Sequence, residues 1–209
     1  IHAMPDVSVI GPLARSARDL RTSVNLLAGP DPIVARGYRL DMPDLGLREL
    51  SDLRIGIWRS AENFPVAKEV EARVDLVASA LRDAGVQIDE SSRPGFEADD
   101  SHKIYQHLLH ATMASRMPDE SYSTLVEHVK NLSPEDDSDA ARVFRGQISS
   151  FRDWSAANEA RHKLRWAWHE YFADIDALIM PIMPTAAFAH DHRPFGERTI
   201  LVDNDERPY

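Results

Sequence analysis

The sequence LRIGIW at residues 53–58 and the sequence VQIDE at residues 86–90 frame the stretch that decides the fold. The first alternates and is rich in residues that favour strands, and both stretches predict β-strands. Between them lie apolar residues at helical spacing, and Gly85 follows them as a helix-ending residue. The helical stripe consists of Val70, Val74, Val77, Leu81 and Ala84. Because the connections are short, residues 53–90 predict a strand–helix–strand unit with parallel strands and a right-handed crossover.

A helix is predicted before this unit, over residues 16–28. Ser16 suits the N-cap position, Asp19 follows three residues later, and Gly29-Pro30 ends the helical pattern. The apolar face of this helix consists of Leu20, Val24 and Leu27. Residues 30–52 carry Pro, Gly and Asp without a sustained period, which predicts a long surface connection.

After the unit, residues 97–175 predict a helical region. Its pattern indicates one helix beginning at Ser133-Pro134 and a last long helix beginning at Ser150. The first apolar face of the region consists of Ile104, Tyr105, Leu108, Leu109, Thr112 and Met113. The stripe of the last helix consists of Trp154, Ala157, Leu164, Trp168, Tyr171 and Ile175. Residues 177–184 predict a buried strand, residues 199–202 predict a short one, and the whole pattern is typical of an α/β fold.

Composition excludes several classes of function. The formal net charge of −10 argues against nucleic-acid binding, which needs a basic patch. No apolar run approaches the roughly 20 residues that span a bilayer, so no membrane association is predicted. The 209 residues include no cysteine, which excludes disulfides and thiolate metal sites and is compatible with a reducing cytoplasm. No signal peptide is visible. Because residue 1 is isoleucine, the earlier removal of such a peptide is left as an open alternative.

The segment GPLARS at residues 11–16, which continues to LLAGPD at residues 26–31, resembles a segment of the amidase signature family of serine amide hydrolases. The strand LRIGIW and the segment 85–90 follow in the order that the family has. A later element also matches, through Trp168, Phe172, Asp176, Leu178, Pro181, Pro184 and Ala186-Ala187. The resemblance covers nearly the whole chain, as a single region over residues 1–209 from the central to C-terminal part of an amidase domain.

This resemblance implies a fold and a reaction. The fold is part of a mixed β-sheet covered by helices, the amidase signature fold, incomplete in this chain. The reaction is hydrolysis of an amide by a serine nucleophile, a second serine and a lysine base, without metal or organic cofactor. In the family, the lysine and the glycine- and serine-rich loop precede the GPLARS segment by many tens of residues. Ser8 lacks that glycine-rich context, so no catalytic residue is assigned.

The resemblance also implies a substrate-binding wall. Met113, Met180, Met183 and Thr185 match positions that line the substrate site in relatives. Methionine suits an adaptable apolar pocket. The alternative for each of these methionines is that it only fills the core.

Other residue clusters give weaker indications. His102, His107 and His110 share one predicted helix, and His190-Asp191-His192 lies in a polar tail, but the chain has no HExxH pattern and no metal site is predicted. A Ser-His-Asp hydrolase would need a nucleophile elbow, and no G-x-S-x-G pattern is present.

The sequence therefore predicts the substrate-side portion of an amidase, inactive alone, whose substrate is a small-molecule amide. Two alternatives stay open. One is a non-catalytic module that serves another chain as a scaffold or partner. The other is a fragment that covers its exposed edges by homo-oligomerisation.

Overall fold

The computed structural model describes residues 6–42 and 48–209. By their internal contacts these residues fall into two compact units, one within residues 1–47 and the other over residues 48–209. No helix of the described residues is both long enough and apolar enough to cross a membrane.

The first unit is built around helix α1, Ala17–Leu27. The Ser16 hydroxyl caps its first turn by accepting a hydrogen bond from the Asp19 N–H at 3.1 Å. The residues of the predicted apolar face are exposed to different degrees, Leu20 by 37%, Val24 by 40% and Leu27 by 68%. The predicted surface connection begins after this helix, and its described residues contain 3₁₀ turns at Val34–Arg36 and at Leu50–Asp52.

The second unit contains two sheets and five helices among its described residues. Its elements are β1 Arg54–Ile57, α2 Lys68–Asp83, β2 Gln87–Asp89, α3 Ala98–Ala114, α4 Asp119–Lys130, α5 Asp139–Gln147, α6 Phe151–Asp174, β3 Ala177–Ile179, β4 Thr199–Val202 and β5 Asp205–Pro208. The first sheet has the order β2-β1-β3, and both pairs are parallel. Strands β4 and β5 form an antiparallel pair. The α/β fold and the parallel strands of 53–90 are confirmed.

The main core lies between β1 and α2. Ile57 is fully buried, and Ile55 packs with it against Val74 and Ala78 of the helix. The predicted stripe is correct at Val74, whereas Val77 is 45% exposed and Ala78 is fully buried in its place. A small residue at position 78 lets α2 approach the sheet closely.

Gly56 fits beneath α6. A Cβ at position 56 would overlap the hydroxyl of Tyr171 and would lie 3.3 Å from Leu178. Tyr171 is only 8% exposed, and its hydroxyl has no hydrogen-bond partner among the described residues. A glycine in β1 is therefore required by the close approach of an aromatic ring from α6.

The helical region is built on α3, which packs against α5 and α6. Leu108 of α3 is fully buried, and Gly146 of α5 lies where a Cβ would be 3.2 Å from the His110 Cβ. The start of α6 is confirmed, because the Ser150 hydroxyl accepts a hydrogen bond from the Asp153 N–H at 3.1 Å. Its predicted stripe is half-buried or buried, ending at Tyr171 and Ile175.

The helix start predicted at Ser133-Pro134 is wrong. Helix α5 begins at Asp139, with the Ser138 hydroxyl as its cap. The Ser133 carbonyl accepts a turn hydrogen bond from the Asp136 N–H at 3.1 Å, and the Arg145 guanidinium donates to the carbonyls of both Ser133 and Asp136. This arginine stabilises a turn where the local pattern favours a helix.

The strand predicted over 177–184 is shorter than expected, since β3 ends at Ile179. Pro181 and Pro184 cannot donate ladder hydrogen bonds, so residues 180–184 leave the sheet as an irregular segment. Strand β4 lies where a short strand was predicted, but no pattern in the sequence predicted β5.

Carboxylates fix the ends of the parallel strands. At the start of β3, Asp176 accepts a hydrogen bond from the Arg54 N–H at 2.8 Å and pairs with Arg48. At the end of β2, Asp89 accepts hydrogen bonds from the N–H and hydroxyl groups of Ser91 and Ser92 and pairs with Arg54 at 3.1 Å. The hydrogen bonds from Ser92, followed by those from Ser91, hold the pKa of the Asp89 carboxyl well below its usual range.

Gly56→Ala is expected to destabilise the protein by about 2 kcal/mol, because the added methyl group overlaps a ring that cannot move without disturbing its neighbours. The free energy of unfolding in urea measures this loss. Gly95→Ala is the matched control, since no heavy atom lies within 4 Å of a Cβ there. Adding Tyr171→Phe to Gly56→Ala should restore part of the loss. Equal stabilities of Gly56→Ala and Gly95→Ala would contradict this packing.

Asp89→Asn is expected to lower stability by about 2 kcal/mol at neutral pH, because the hydrogen bonds at Asp89 favour its charged form. The lowered pKa means that the contribution of ionised Asp89 is fully present above its unfolded pKa of about 3.9 and is lost as the pH falls from there towards the folded pKa. The free energy of unfolding in urea is measured between about pH 3 and pH 7. The difference between the unchanged protein and Asp89→Asn should become smaller towards about pH 3. A difference in stability that is constant across this range would contradict the assignment.

Candidate functional site

A groove opens at the carboxyl ends of β1 and β3. Strand β1 is the middle strand. The next strand along the chain, β2, lies on one side of it, and β3 lies on its other side. Parallel α/β sheets bind ligands in the crevice outside the carboxyl ends of strands at such a switch point. The cavity there has a volume of about 710 Å³. We call it the strand-end groove.

The strand-end groove is lined mainly by apolar and aromatic side chains. They come from residues 58–66, from residues 180–184 and from the neighbouring helices and the β4–β5 hairpin. Five of the lining residues carry benzenoid or indole rings: Trp58, Phe64, Phe96, Tyr105 and Trp168. The lining also contains one imidazole and three charged side chains, namely His102, Arg59, Asp139 and Arg207.

Two arginines position the loop that follows β1. Arg59 pairs with Asp75 of α2 at 2.7 Å and with Glu90 beyond β2 at 3.0 Å. Arg93 donates a hydrogen bond to the Ser92 carbonyl at 2.7 Å, and its guanidinium carbon lies 5.3 Å from the centroid of the Trp58 ring. This cation–π contact holds the ring of Trp58 at the carboxyl end of β1.

Backbone hydrogen bonds position the segment 180–184. The Trp58 N–H donates to the Ile179 carbonyl at 3.0 Å, which extends the β1–β3 ladder by one step. The Ala67 N–H donates to the Pro184 carbonyl at 2.7 Å. Backbone hydrogen bonds therefore join both ends of the segment to the residues between β1 and α2.

An aromatic cluster surrounds Trp168, the lining residue that α6 contributes to the groove. The Trp168 ring contacts Phe96 edge-on at 5.5 Å and stacks on Phe172 at 5.6 Å. Tyr171 packs edge-on against Trp168 at 5.7 Å, and burial raises the pKa of its hydroxyl. Because these rings pack against one another, we expect this part of the groove to keep its shape when a ligand binds.

The structure brings together two of the four predicted substrate-binding residues. Met180 and Met183 line the groove and are 49% and 44% exposed. Thr185 lies one residue beyond the lining segment and is half-buried. Met113 lies near the end of α3, is 63% exposed and is not a lining residue of the groove.

The sequence reasoning missed the aromatic lining residues. Trp58 could have been found, because it directly follows a strand of a predicted parallel pair and so stands at a carboxyl end. Phe64, Phe96 and Tyr105 carry no such signal, since their place depends on how α3 packs.

The histidine clusters do not form a metal centre. Within residues 6–42 and 48–209, no group of three His, Cys, Asp or Glu side chains could hold a metal ion. His102 instead contacts Phe64 edge-on at 5.2 Å, and His107 forms a hydrogen bond with the Ser149 hydroxyl at 2.8 Å. Burial lowers the pKa of His110, and Asp191 pairs with Arg193.

Comparisons with known proteins agree with this architecture. The sequence matches the amidase family over residues 2–204. It is 27% identical over 212 residues to a glutamyl-tRNA(Gln) amidotransferase subunit of Roseiflexus sp. (strain RS-1), a match that covers 90% of this chain and 42% of that protein. It is 25% identical over 207 residues to an acetamidase of Emericella nidulans, covering 93% and 37% of the two chains.

A likeness in fold accompanies the likeness in sequence. The solved structure of a fatty acid amide hydrolase superposes with a TM-score of 0.57 at 16% identity, over 85% of this chain and 31% of that one. The chain thus spans less than half the length of these three relatives. Because the match to the family model extends over nearly all of its residues, this chain belongs to the amidase family.

Proposed function

We propose that residues 1–209 are the central-to-C-terminal portion of an amidase domain and that the strand-end groove is the substrate-side wall of its site. The observation that carries this proposal is the position of the groove at the carboxyl ends of β1 and β3. Membership of the amidase family supports an amide as the ligand. The relatives' names, which include an acetamidase and an amidotransferase, support the same chemistry.

In this proposal the groove binds and orients the substrate, and the bond-breaking groups lie elsewhere. Amide hydrolysis needs an activated nucleophile, a base and donors for the developing oxyanion. By family resemblance these are two serines and a lysine, upstream of the GPLARS segment. The products would be a carboxylate and ammonia or an amine.

Met180 and Met183 are the substrate-binding residues that the groove supports best. Their thioethers can adjust to the shape of an apolar group. Thr185 would act from the edge of the segment, where the hydrogen bond from Ala67 to Pro184 fixes the backbone. Met113 stays a weaker proposal, because it lies outside the groove lining.

A second candidate function is a non-catalytic module that binds another protein chain as its partner. The apolar face of α1 favours it, since Leu20, Val24 and Leu27 are all exposed. A second copy of the chain would also bury this face. The absence of cysteine is compatible with a cytoplasmic setting for either function.

The purified chain 1–209 is expected to hydrolyse no amide and to take up no fluorophosphonate probe, because the residues that the family resemblance assigns to bond breaking lie upstream of the GPLARS segment. Ammonia release from simple amides and intact-mass spectrometry after probe treatment measure the two properties. A complete amidase treated in parallel shows that the probe is active. Stoichiometric labelling of one serine in residues 1–209 would overturn the proposal of a substrate wall alone.

A further inference from the structure

We propose that the strand-end groove selects amides that carry an aromatic substituent over small, charged or straight-chain ones. This inference rests on the function proposed above and names the substrate class of that same site. It is drawn from the lining of the groove, from its charges and from its size.

Aromatic rings reach the groove from separate parts of the chain. Trp58 comes from the end of β1, Phe96 from the segment before α3, and Trp168 from α6. Phe64 adds a ring at the rim, where its N–H donates to the Ala61 carbonyl at 2.9 Å and closes a tight turn. Rings that meet from several directions offer both faces and edges to a bound ring, which is the geometry that aromatic pairs prefer.

The charged side chains of the groove are already engaged. Arg59 is paired with two carboxylates, and Asp139 is paired with Arg142. Arg207 pairs with Asp205 at 3.7 Å. A charged or strongly polar substrate would have to compete with these ion pairs, and it would give up part of its hydration against the apolar lining, which is unfavourable.

The size of the groove also favours an aromatic substituent over a small one. Its volume of about 710 Å³ lies in the range of sites for drug-sized ligands. A two-carbon amide would contact only a small part of this wall, whereas an amide that carries an aryl group would contact more of it. Met180 and Met183 lie in the same groove, and thioether sulfur makes favourable contacts with ring edges.

The test is a binding titration of the full chain 1–209, followed by chemical shifts, with phenylacetamide, octanamide, acetamide and glutamine as ligands. Octanamide has the same number of carbon atoms as phenylacetamide, so it separates ring recognition from apolar area. Phenylacetate replaces the amide by a carboxylate and tests whether the amide group matters. We expect phenylacetamide to bind about tenfold more tightly than acetamide or glutamine, and more tightly than octanamide.

Three variants test where phenylacetamide binds. Met183→Glu places a charge in the lining and should weaken phenylacetamide binding about tenfold, whereas Met183→Leu should keep it. Leu76→Glu is the control, because Leu76 is 59% exposed on α2 and is not a lining residue of the groove. Its affinity for phenylacetamide should equal that of the unchanged chain.

The outcomes separate this inference from the function on which it rests. Tighter binding of octanamide, acetamide or glutamine, lost in Met183→Glu, would overturn the aromatic preference and leave an amide-binding groove standing. Equal affinity for phenylacetate and phenylacetamide would remove the support for amide recognition. Failure of every amide to bind, or equal loss of affinity in Met183→Glu and Leu76→Glu, would contradict both.

Discussion

Strand β1 is hydrogen-bonded on both sides by parallel partners, and the rest of the second unit depends on this ladder. Ile55 pairs with Ile88 of β2 and with Ala177 of β3, although β3 lies more than a hundred residues further along the chain. Parallel pairing puts the carboxyl ends of the strands at one edge, so the segments that follow β1 and β3 must meet. The strand-end groove is the space between those segments. Its position is thus a consequence of topology, and its lining is a consequence of which residues follow each strand.

Charged side chains then hold the ends of the parallel strands and the loop that follows β1 in position. Asp176 and Asp89 hold the strand ends through hydrogen bonds from backbone N–H groups, and Arg59 and Arg93 hold the loop that carries Trp58. Most of these groups are partly exposed, where a single ion pair contributes little to stability. Their role is to fix position, because they hold the ends of the strands and the loop that carries Trp58. The packing of Tyr171 over Gly56 completes this arrangement by joining α6, which carries Trp168, to the central strand.

Local patterns in the sequence predicted the elements of the central unit well. Alternation in LRIGIW, the stripe through Val74 and the cap at Ser150 are local signals, and each corresponds to an observed feature. The helix start at Ser133 was wrong because Arg145, a distant residue, binds the carbonyls that a helix would use. The strand over 177–184 was too long because two prolines end the ladder. Within the candidate site, family resemblance led to Met180 and Met183, while the aromatic wall depends on the packing of α3 and α6, which periodicity does not encode.

Ligand binding at the place where the carboxyl ends of β1 and β3 meet is tested most directly by photo-crosslinking. The chain is irradiated with an aryl amide that carries a diazirine, digested, and mapped by mass spectrometry. We expect adducts to concentrate on residues 58–66 and 180–184 and to disappear when excess phenylacetamide is present. Adducts that concentrate instead in the cavity lined by Phe188, His190 and Tyr209, or that resist competition, would contradict a strand-end site.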